Sequence, residues 1–284
     1  MNKKRILKVL SILIMLALLA GCAVARNEDG SIKLITLNTS FADMTDEGIF
    51  AAVLVYPLAQ AINYLSNHLG VGLAIMIVTL LLNGLVLLFT FKSNVSMQRM
   101  QDLQPEIAKI QKKYEGRTDS ASQQRLNMEL TKLYQNNDVN PITALVVSFL
   151  QFPVLIAMYN AVQRSAAVAQ GTFLGVDLSL TPAQNYANGN INGFVIYALM
   201  LVLQFISIFL VRWFPQHRAK KLAEKQHRSY EKPKDQNAMI SYGMIIFIGV
   251  LMLSWPSALS LYYAIYSLVQ IIKTLVIEKL MHKE

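Results

Sequence analysis

Five nearly uninterrupted apolar runs, at 70–91, 141–163, 191–213, 239–254 and 257–277, decide what this chain can become. A bilayer core asks for roughly 20 apolar residues per helical span; most of the runs reach that length, and the fourth is short. Hydrocarbon offers no partner to a bare peptide group, so each run must satisfy its own backbone as a helix. With 54% of its 284 residues hydrophobic and gathered this way, the chain reads as an all-α polytopic membrane protein of five transmembrane helices. Residues 239–277 would be nearly one run but for "SWPSAL", where Pro256 breaks the helix ladder and Trp255 suits an interface.

Charge orients the runs. Lys and Arg number nineteen in the loops 92–140 and 212–237 together with Lys273, Lys279 and Lys283, against only Arg26, Lys33 and Arg164 on the other side of the mature chain. The positive-inside bias therefore puts both large loops and the C-terminus in the cytoplasm and the mature N-terminus outside the plasma membrane. The first residues agree. "MNKKRILKVLSILIMLALLAGC" has a basic start and an apolar stretch too short to span, the layout of a secretory signal peptide over 1–21. Its end, Leu19-Ala20-Gly21-Cys22, resembles the bacterial lipoprotein box, which implies cleavage before Cys22, a diacylglyceryl group on its thiol and a place in the plasma membrane of a bacterial cell. Cys22 is the one Cys, so no internal disulfide is available.

Between and around the spans the pattern changes. Residues 22–45 read as a polar extracytoplasmic tether, and 46–67 as an amphipathic helix in the outer interface, with Pro57 expected to kink it. An extracytoplasmic loop (164–190), a basic cytoplasmic loop (214–238) and a short cytoplasmic tail (278–284) complete the chain. In the loop 92–140, Met97, Met100, Leu103, Ile107, Ile110 and Tyr114 recur every three or four residues, and Leu126, Leu130 and Leu133 repeat the spacing after "GRTDSAS". Two amphipathic helices can close there into a hairpin, begun or bent by Pro105. Its stripe suits either a solvated spacer or an adaptable surface for apolar segments of other proteins.

Polar residues inside the spans carry the functional question. Asn83 lies roughly 12 Å from the cytoplasmic end of its span, Gln151 roughly 15 Å and Gln204 roughly 14 Å, at 1.5 Å per residue. Ser267 and Gln270 can join that layer, with Tyr263 and Tyr266 somewhat above it. An amide facing lipid costs several kcal/mol, so these groups turn inward. Three amides at one depth on separate spans suggest a hydrated cavity, although a packed polar network gives the same count. No Asp, Glu or His sits in a span core, and there is no Gly-rich phosphate loop and no metal-ligand spacing. Carboxylate-coupled transport, intramembrane proteolysis and nucleotide hydrolysis therefore lack their chemical groups, and no enzymatic activity or cofactor beyond the Cys22 lipid is expected.

"SMQRMQDLQPEIAKIQKKY" (96–114), "LYQNNDVNPITALVVSFLQFPVLIAMYNAV" (133–162) and "LSWPSALSLYYAIYSLVQII" (253–272) resemble the YidC/Oxa/Alb membrane protein insertases, especially the Gram-positive lipoprotein forms. The resemblance runs through most of 46–277. It implies a cytosol-open hydrophilic groove among the five spans, and a cytoplasmic hairpin that first meets the client through Met97, Met100, Leu103, Ile107 and Ile110. It implies insertion of small membrane proteins without nucleotide hydrolysis, with a Sec translocon or a ribosome as possible partners beside membrane lipids, and no DNA. Asn83, Gln151, Gln204, Tyr263, Ser267 and Gln270 become the groove residues. Aligned on the family's first span, Asn83 stands where most members have the groove Arg and Leu88 where many have Pro; Gln151 matches the family's groove amide, and Tyr263 falls where an aromatic is usual. Asn can hydrate a groove but cannot attract an acidic tail by charge. The tail "IEKLMHKE" lacks the long basic extension of some members. A scaffold that helps assemble membrane complexes without inserting them is the alternative, and a small-solute channel or transporter the more distant one.

Overall fold

The computed structural model describes residues 24–225 and 236–281. The signal peptide, the Cys22 lipidation site, the centre of the basic loop and the last three residues lie outside the described residues. Tertiary contacts divide the chain into two units, one of Met1–Leu82, Phe149–Leu201 and Gly249–Tyr266, the other of Asn83–Ser148, Val202–Ile248 and Ser267–Glu284.

The long helices are α3 (Val71–Asp102), α6 (Pro141–Arg164), α9 (Asn192–Lys225), α10 (Gln236–Leu253) and α11 (Ser257–Met281). By length and composition Val71–Asp102, Asn192–Lys225 and Ser257–Leu280 suffice to cross a membrane, and Tyr242–Leu253 forms a shorter apolar stretch. The protein is a helical membrane protein. Three helices outrun the apolar segments that announced them: α3 passes residue 91 to Asp102, α9 passes 213 to Lys225, and α11 passes 277 to Met281. Apolarity marks where a helix meets lipid. Its end is set by a breaker, and none occurs after Phe91 until Pro105.

The first unit corrects the reading of residues 22–45 as a polar tether for their described part, 24–45. Arg26 bridges to Ile32, and Ile35 pairs in parallel with Ser165: its N–H donates to the Arg164 carbonyl at 2.6 Å, and its carbonyl accepts from the Ala166 N–H at 3.1 Å. Ile35 packs with Met44, Ala52, Val55, Ala59 and Ala161 in a closed apolar cluster. A short helix, α1 (Phe41–Thr45), starts at a capping box between Ser40 and Asp43. Then come a π-helical stretch (Ala51–Val55) and α2 (Tyr56–Leu69). Pro57 stands in the first turn of α2, directly after the π-helical stretch.

Asn63 on α2 is the polar rivet of this layer. Its Nδ2 donates to the Ile35 carbonyl at 2.7 Å, while its Oδ1 accepts from Ser165 Oγ at 2.7 Å and the Ala167 N–H at 3.1 Å. Nor is the segment 164–190 a bare loop. It holds α7 (Ala166–Gln170), the hairpin strands β1 (Thr172–Phe173) and β2 (Val176–Asp177), and α8 (Pro182–Ala187). Phe173 lies so close over Gly72 that a Cβ there would stand 2.0 Å from its ring, so α3 can begin under the hairpin only with glycine. The Ser257 and Ala258 N–H groups at the start of α11 donate to the Leu180 and Leu178 carbonyls at 2.7 and 3.0 Å. Trp255, in the turn before α11, packs on Tyr159 with ring centres 4.7 Å apart.

Arg164, with 2% of its side chain exposed, closes the layer. It holds Glu47 through Nη1 at 2.6 Å and Nη2 at 3.0 Å, and donates from Nε to the Lys33 carbonyl at 2.9 Å. Burial raises the Glu47 carboxyl, but hydrogen bonds and charge from Arg164 and Lys33 outweigh it, and its pKa settles below the ordinary value. A depressed carboxyl pKa stabilises the folded layer above the ordinary Glu range, and that contribution is lost as pH falls through the lowered value. Arg164→Met should cost about 3 kcal/mol, the low end for breaking a buried pair because Glu47 keeps some solvent. It should also flatten the acid limb of the stability curve below the ordinary Glu range. Limited proteolysis of the 24–69 segment in native membranes, run from pH 7 to pH 3, reads both effects.

Candidate functional site

Asn83 belongs to a stripe. Along α3, Asn83, Thr90, Asn94 and Gln98 are 4, 6, 3 and 7% exposed, while Leu88 and Phe89 are 76 and 85% exposed. Spacings of seven, four and four keep the polar groups on one helical face. The helix is amphipathic the wrong way round for water and the right way round for lipid. On α11, Ser267 and Thr274 are buried, and Leu268, Ile272, Leu275 and Val276 face out; on α9, Gln204 and Ser207 are buried, and Val202, Phe205, Ile206 and Phe209 face out.

Within the second unit these stripes are hydrogen-bonded to one another. Ser267 Oγ donates to Gln204 Oε1 at 2.5 Å, joining α11 to α9. Lys273 Nζ donates to Asn94 Oδ1 at 3.2 Å, joining α11 to α3. The same Asn94 donates from Nδ2 to Thr90 Oγ1 at 2.9 Å, and Thr90 Oγ1 donates to the Val86 carbonyl at 2.7 Å. Further along, the Arg218 guanidinium grips Asp102 at the end of α3 and Glu278 on α11 at once.

Of the six groove candidates, the structure brings Gln204 and Ser267 into direct contact. Asn83 is buried on α3, and Gln270 is half-buried on α11, its carbonyl accepting from Thr274 Oγ1 at 2.9 Å. Gln151, half-buried on α6, and Tyr263, buried on α11, belong to the first unit. The Tyr263 ring packs against Tyr262 and Tyr266 at 5.3 and 5.9 Å. Sequence reasoning missed Thr90, Asn94 and Gln98, and used Arg218 and Lys273 only to orient the chain. Their signal was present: Asn94 and Gln98 continue the Asn83 face beyond the apolar run, where depth in hydrocarbon was no longer being counted.

The loop 92–140 folds as α4 (Gln104–Lys113) and α5 (Ser120–Asn136), with Pro105 in the first turn of α4 and Asp119 capping α5. Leu103, Ile107 and Val139 are buried, and Met100, Leu130, Leu133 and Tyr134 pack on them. Glu129 on α5 accepts from Lys113 Nζ at 2.6 Å and from Tyr114 OH at 2.8 Å. This corrects the expectation of a five-residue client-contacting stripe. Leu103 and Ile107 spend their apolar surface on the hairpin's own core, Ile110 is half-buried, and Met97 and Met100, also half-buried, sit on the last turns of α3. Two facing stripes bury each other before either is free for a third. Met128, on the outer side of α5, is the methionine left exposed on the hairpin.

Comparison with known proteins places the chain. The model of the family described as "60Kd inner membrane protein" matches residues 63–284. Membrane protein insertase YidC 2 of Bacillus anthracis is 34% identical over 220 residues, which cover 77% of this chain and 76% of that one. Membrane protein insertase YidC of Alkalihalophilus pseudofirmus is 31% identical over 275 residues, 95% of this chain and 93% of that one. Membrane protein insertase MisCA of Bacillus subtilis is 29% identical over 278 residues, 97% and 92% of the two chains. The chain belongs to the 60 kDa inner membrane protein family, the YidC/Oxa/Alb group in its Gram-positive form, and is a bacterial membrane protein.

Ile107→Asp should unfold the hairpin, since a buried carboxylate without a partner costs more than about 3 kcal/mol. Trypsin should then cut at Lys109, Lys112, Lys113 and Arg117 at least tenfold faster, whereas Met128→Asp should leave that cutting rate as it is.

Proposed function

We propose that this chain is a membrane protein insertase and chaperone, working on nascent or newly made small membrane proteins through a polar groove among five spans. The observation that carries the reading is the set of polar stripes on α3, α9 and α11, turned away from the lipid-facing Leu, Ile, Val and Phe residues and hydrogen-bonded to each other. The names of the relatives support the same activity. In this reading α6 and α10 are the second and fourth spans, and Gln151 and Tyr263 line the groove with Asn83, Gln204, Ser267 and Gln270. The N-terminus lies outside, anchored by a diacylglyceryl group on Cys22, and the C-terminus is cytoplasmic.

The groove works by lowering a barrier. A hydrophilic client segment crossing hydrocarbon alone loses its hydrogen bonds to water at several kcal/mol per group. Amide and hydroxyl groups held on facing helices return some of those bonds part-way across, while the client's apolar helix partitions sideways into lipid. No nucleotide is needed: burial of about 20 apolar residues and the membrane potential supply the drive. The hairpin meets clients through outward side chains such as Met128, since its inner stripe is occupied. A Sec translocon and a ribosome are partners in this scheme, the latter through the basic loop 214–238.

Complementation tests the proposal. In a bacterium depleted of its resident insertase, this chain should restore insertion of a rotor-ring subunit and of a single-span protein. The double variant Gln204→Leu, Ser267→Ala, matched for abundance, should restore about tenfold less, the effect of removing a buried hydrogen-bonded pair and drying the groove. Failure of the native chain with both clients would overturn insertion and leave a role in assembly.

A further inference from the structure

The hairpin between β1 and β2 turns on an unexpected residue. Phe173 pairs with Val176, which leaves Leu174 and Gly175 as a two-residue loop, with φ of +53° and +79°. Two positive φ values are the type I′ arrangement, which favours Asn-Gly or Asp-Gly because a left-handed backbone crowds a Cβ. Gly175 fits. Leu174 has neither glycine's freedom nor asparagine's local hydrogen bonds, and it is 67% exposed. The fold nevertheless holds it there. Asn192 Nδ2, at the start of α9, donates to the Leu174 carbonyl at 2.9 Å, Asn190 Nδ2 donates to the Gly175 carbonyl, and Asn190 Oδ1 accepts from the Asn192 N–H at 2.9 Å. Backbone strain and an exposed leucine are two costs at one position, and an apolar medium around the side chain offsets both.

We infer that Leu174 is a lipid wedge, its side chain entering the acyl chains of the leaflet at the Ile191 end of α9. Ile191, Val195 and Leu199, spaced by four, are 61, 57 and 52% exposed on one helical face. α9 is long and apolar enough to cross a membrane, so that face meets lipid, and the Asn192 hydrogen bond sets Leu174 beside the first turn of the helix. Tyr186, exposed as well, packs edge-on against Phe194 at 5.7 Å and gives the same rim the aromatic character of a membrane interface. A protein partner is the poorer fit, because the apolar surface continues from the hairpin tip into a face that hydrocarbon already covers. The wedge has leverage. Phe173, next to it, lies over Gly72 at the start of α3, and the Leu178 and Leu180 carbonyls beyond β2 accept from the first N–H groups of α11. Immersion of one side chain therefore sets the depth of three helix starts, those of α3, α9 and α11. The inference rests on α9 crossing the bilayer and is independent of insertase activity.

The test uses the full chain, purified and reconstituted in vesicles of phosphatidylethanolamine and phosphatidylglycerol. In a Cys22→Ala background, a nitroxide on Leu174→Cys should be relaxed by dissolved oxygen more than by a water-soluble nickel chelate. That ratio should stand about tenfold above the one for a nitroxide on Glu28→Cys, in an exposed turn of the same unit, because oxygen concentrates in hydrocarbon and the chelate does not enter it. A second readout carries no label. Leu174→Asn supplies the residue that the turn itself prefers, so a role in the turn alone and a role in lipid predict opposite signs. For a wedge, hydrogen exchange of the 172–177 amides in vesicles should quicken about tenfold in Leu174→Asn, and Leu174→Met should keep the native rate. Slower or unchanged exchange in Leu174→Asn would overturn the inference, and so would a nitroxide at Leu174→Cys as open to the chelate as the one at Glu28→Cys. Shielding seen only in native membranes would assign the surface to another protein, and shielding lost on dilution with lipid would assign it to a second copy; either result also overturns the wedge.

Discussion

The rest of this structure depends on one constraint: inside hydrocarbon a polar group must find its partner within the protein. It makes the apolar runs helical, since a helix satisfies its own backbone. It then turns each helix so that Asn83, Asn94, Gln204 and Ser267 look inward and Leu88, Phe89, Phe205 and Leu268 look outward. The usual logic of a water-soluble core is reversed. Because there is little hydrophobic gain in bringing two apolar helices together in lipid, close contacts such as Ser267 with Gln204 and Lys273 with Asn94 take on the work of specifying which faces meet.

The layer built from residues 24–69 and 164–190 follows the ordinary rules. Ile35, Met44, Val55 and Ala161 form a cluster that could belong to any soluble domain, and Asn63 and Arg164 satisfy backbone and side-chain groups around it. The two regimes meet along single helices: Arg164 ends α6 in this layer, and the start of α11 is pinned to the 178–180 carbonyls.

What the sequence disclosed follows from the range of each interaction. The five apolar runs are local signals and were read directly, as was the hairpin with its two stripes and the break at "GRTDSAS". Helix ends were not, because α3 continues for eleven residues after Phe91 through polar residues that favour helix as much as their apolar neighbours do. The stretch 24–45 looked like a tether because its order comes from Ile35 meeting Ser165, 130 positions away, and no local pattern encodes such a pairing. The hairpin stripe was ambiguous in principle: the same spacing serves an exposed docking face and a helix pair closed on itself, and only Val139 and Tyr134 folding back over Leu103 and Ile107 decide between them. At the candidate site, Asn83, Gln204 and Ser267 were visible because amides and a hydroxyl stand out against leucine. Asn94 read as loop chemistry beyond the first run, and Lys273, inside the last run, as an orienting charge.

Arg218 has a mechanical consequence. Asp102 is the last residue of α3, and Leu103, the next, already belongs to the hairpin core. One guanidinium thus clamps the root of the hairpin to α11 through Glu278. The hairpin is a lever with a hinge at Leu103 and a fixed fulcrum beneath it. A load taken up at its tip, some ten residues away along α4, bears on α3, α9 and α11 together at that clamp, and is not dissipated in a slack linker.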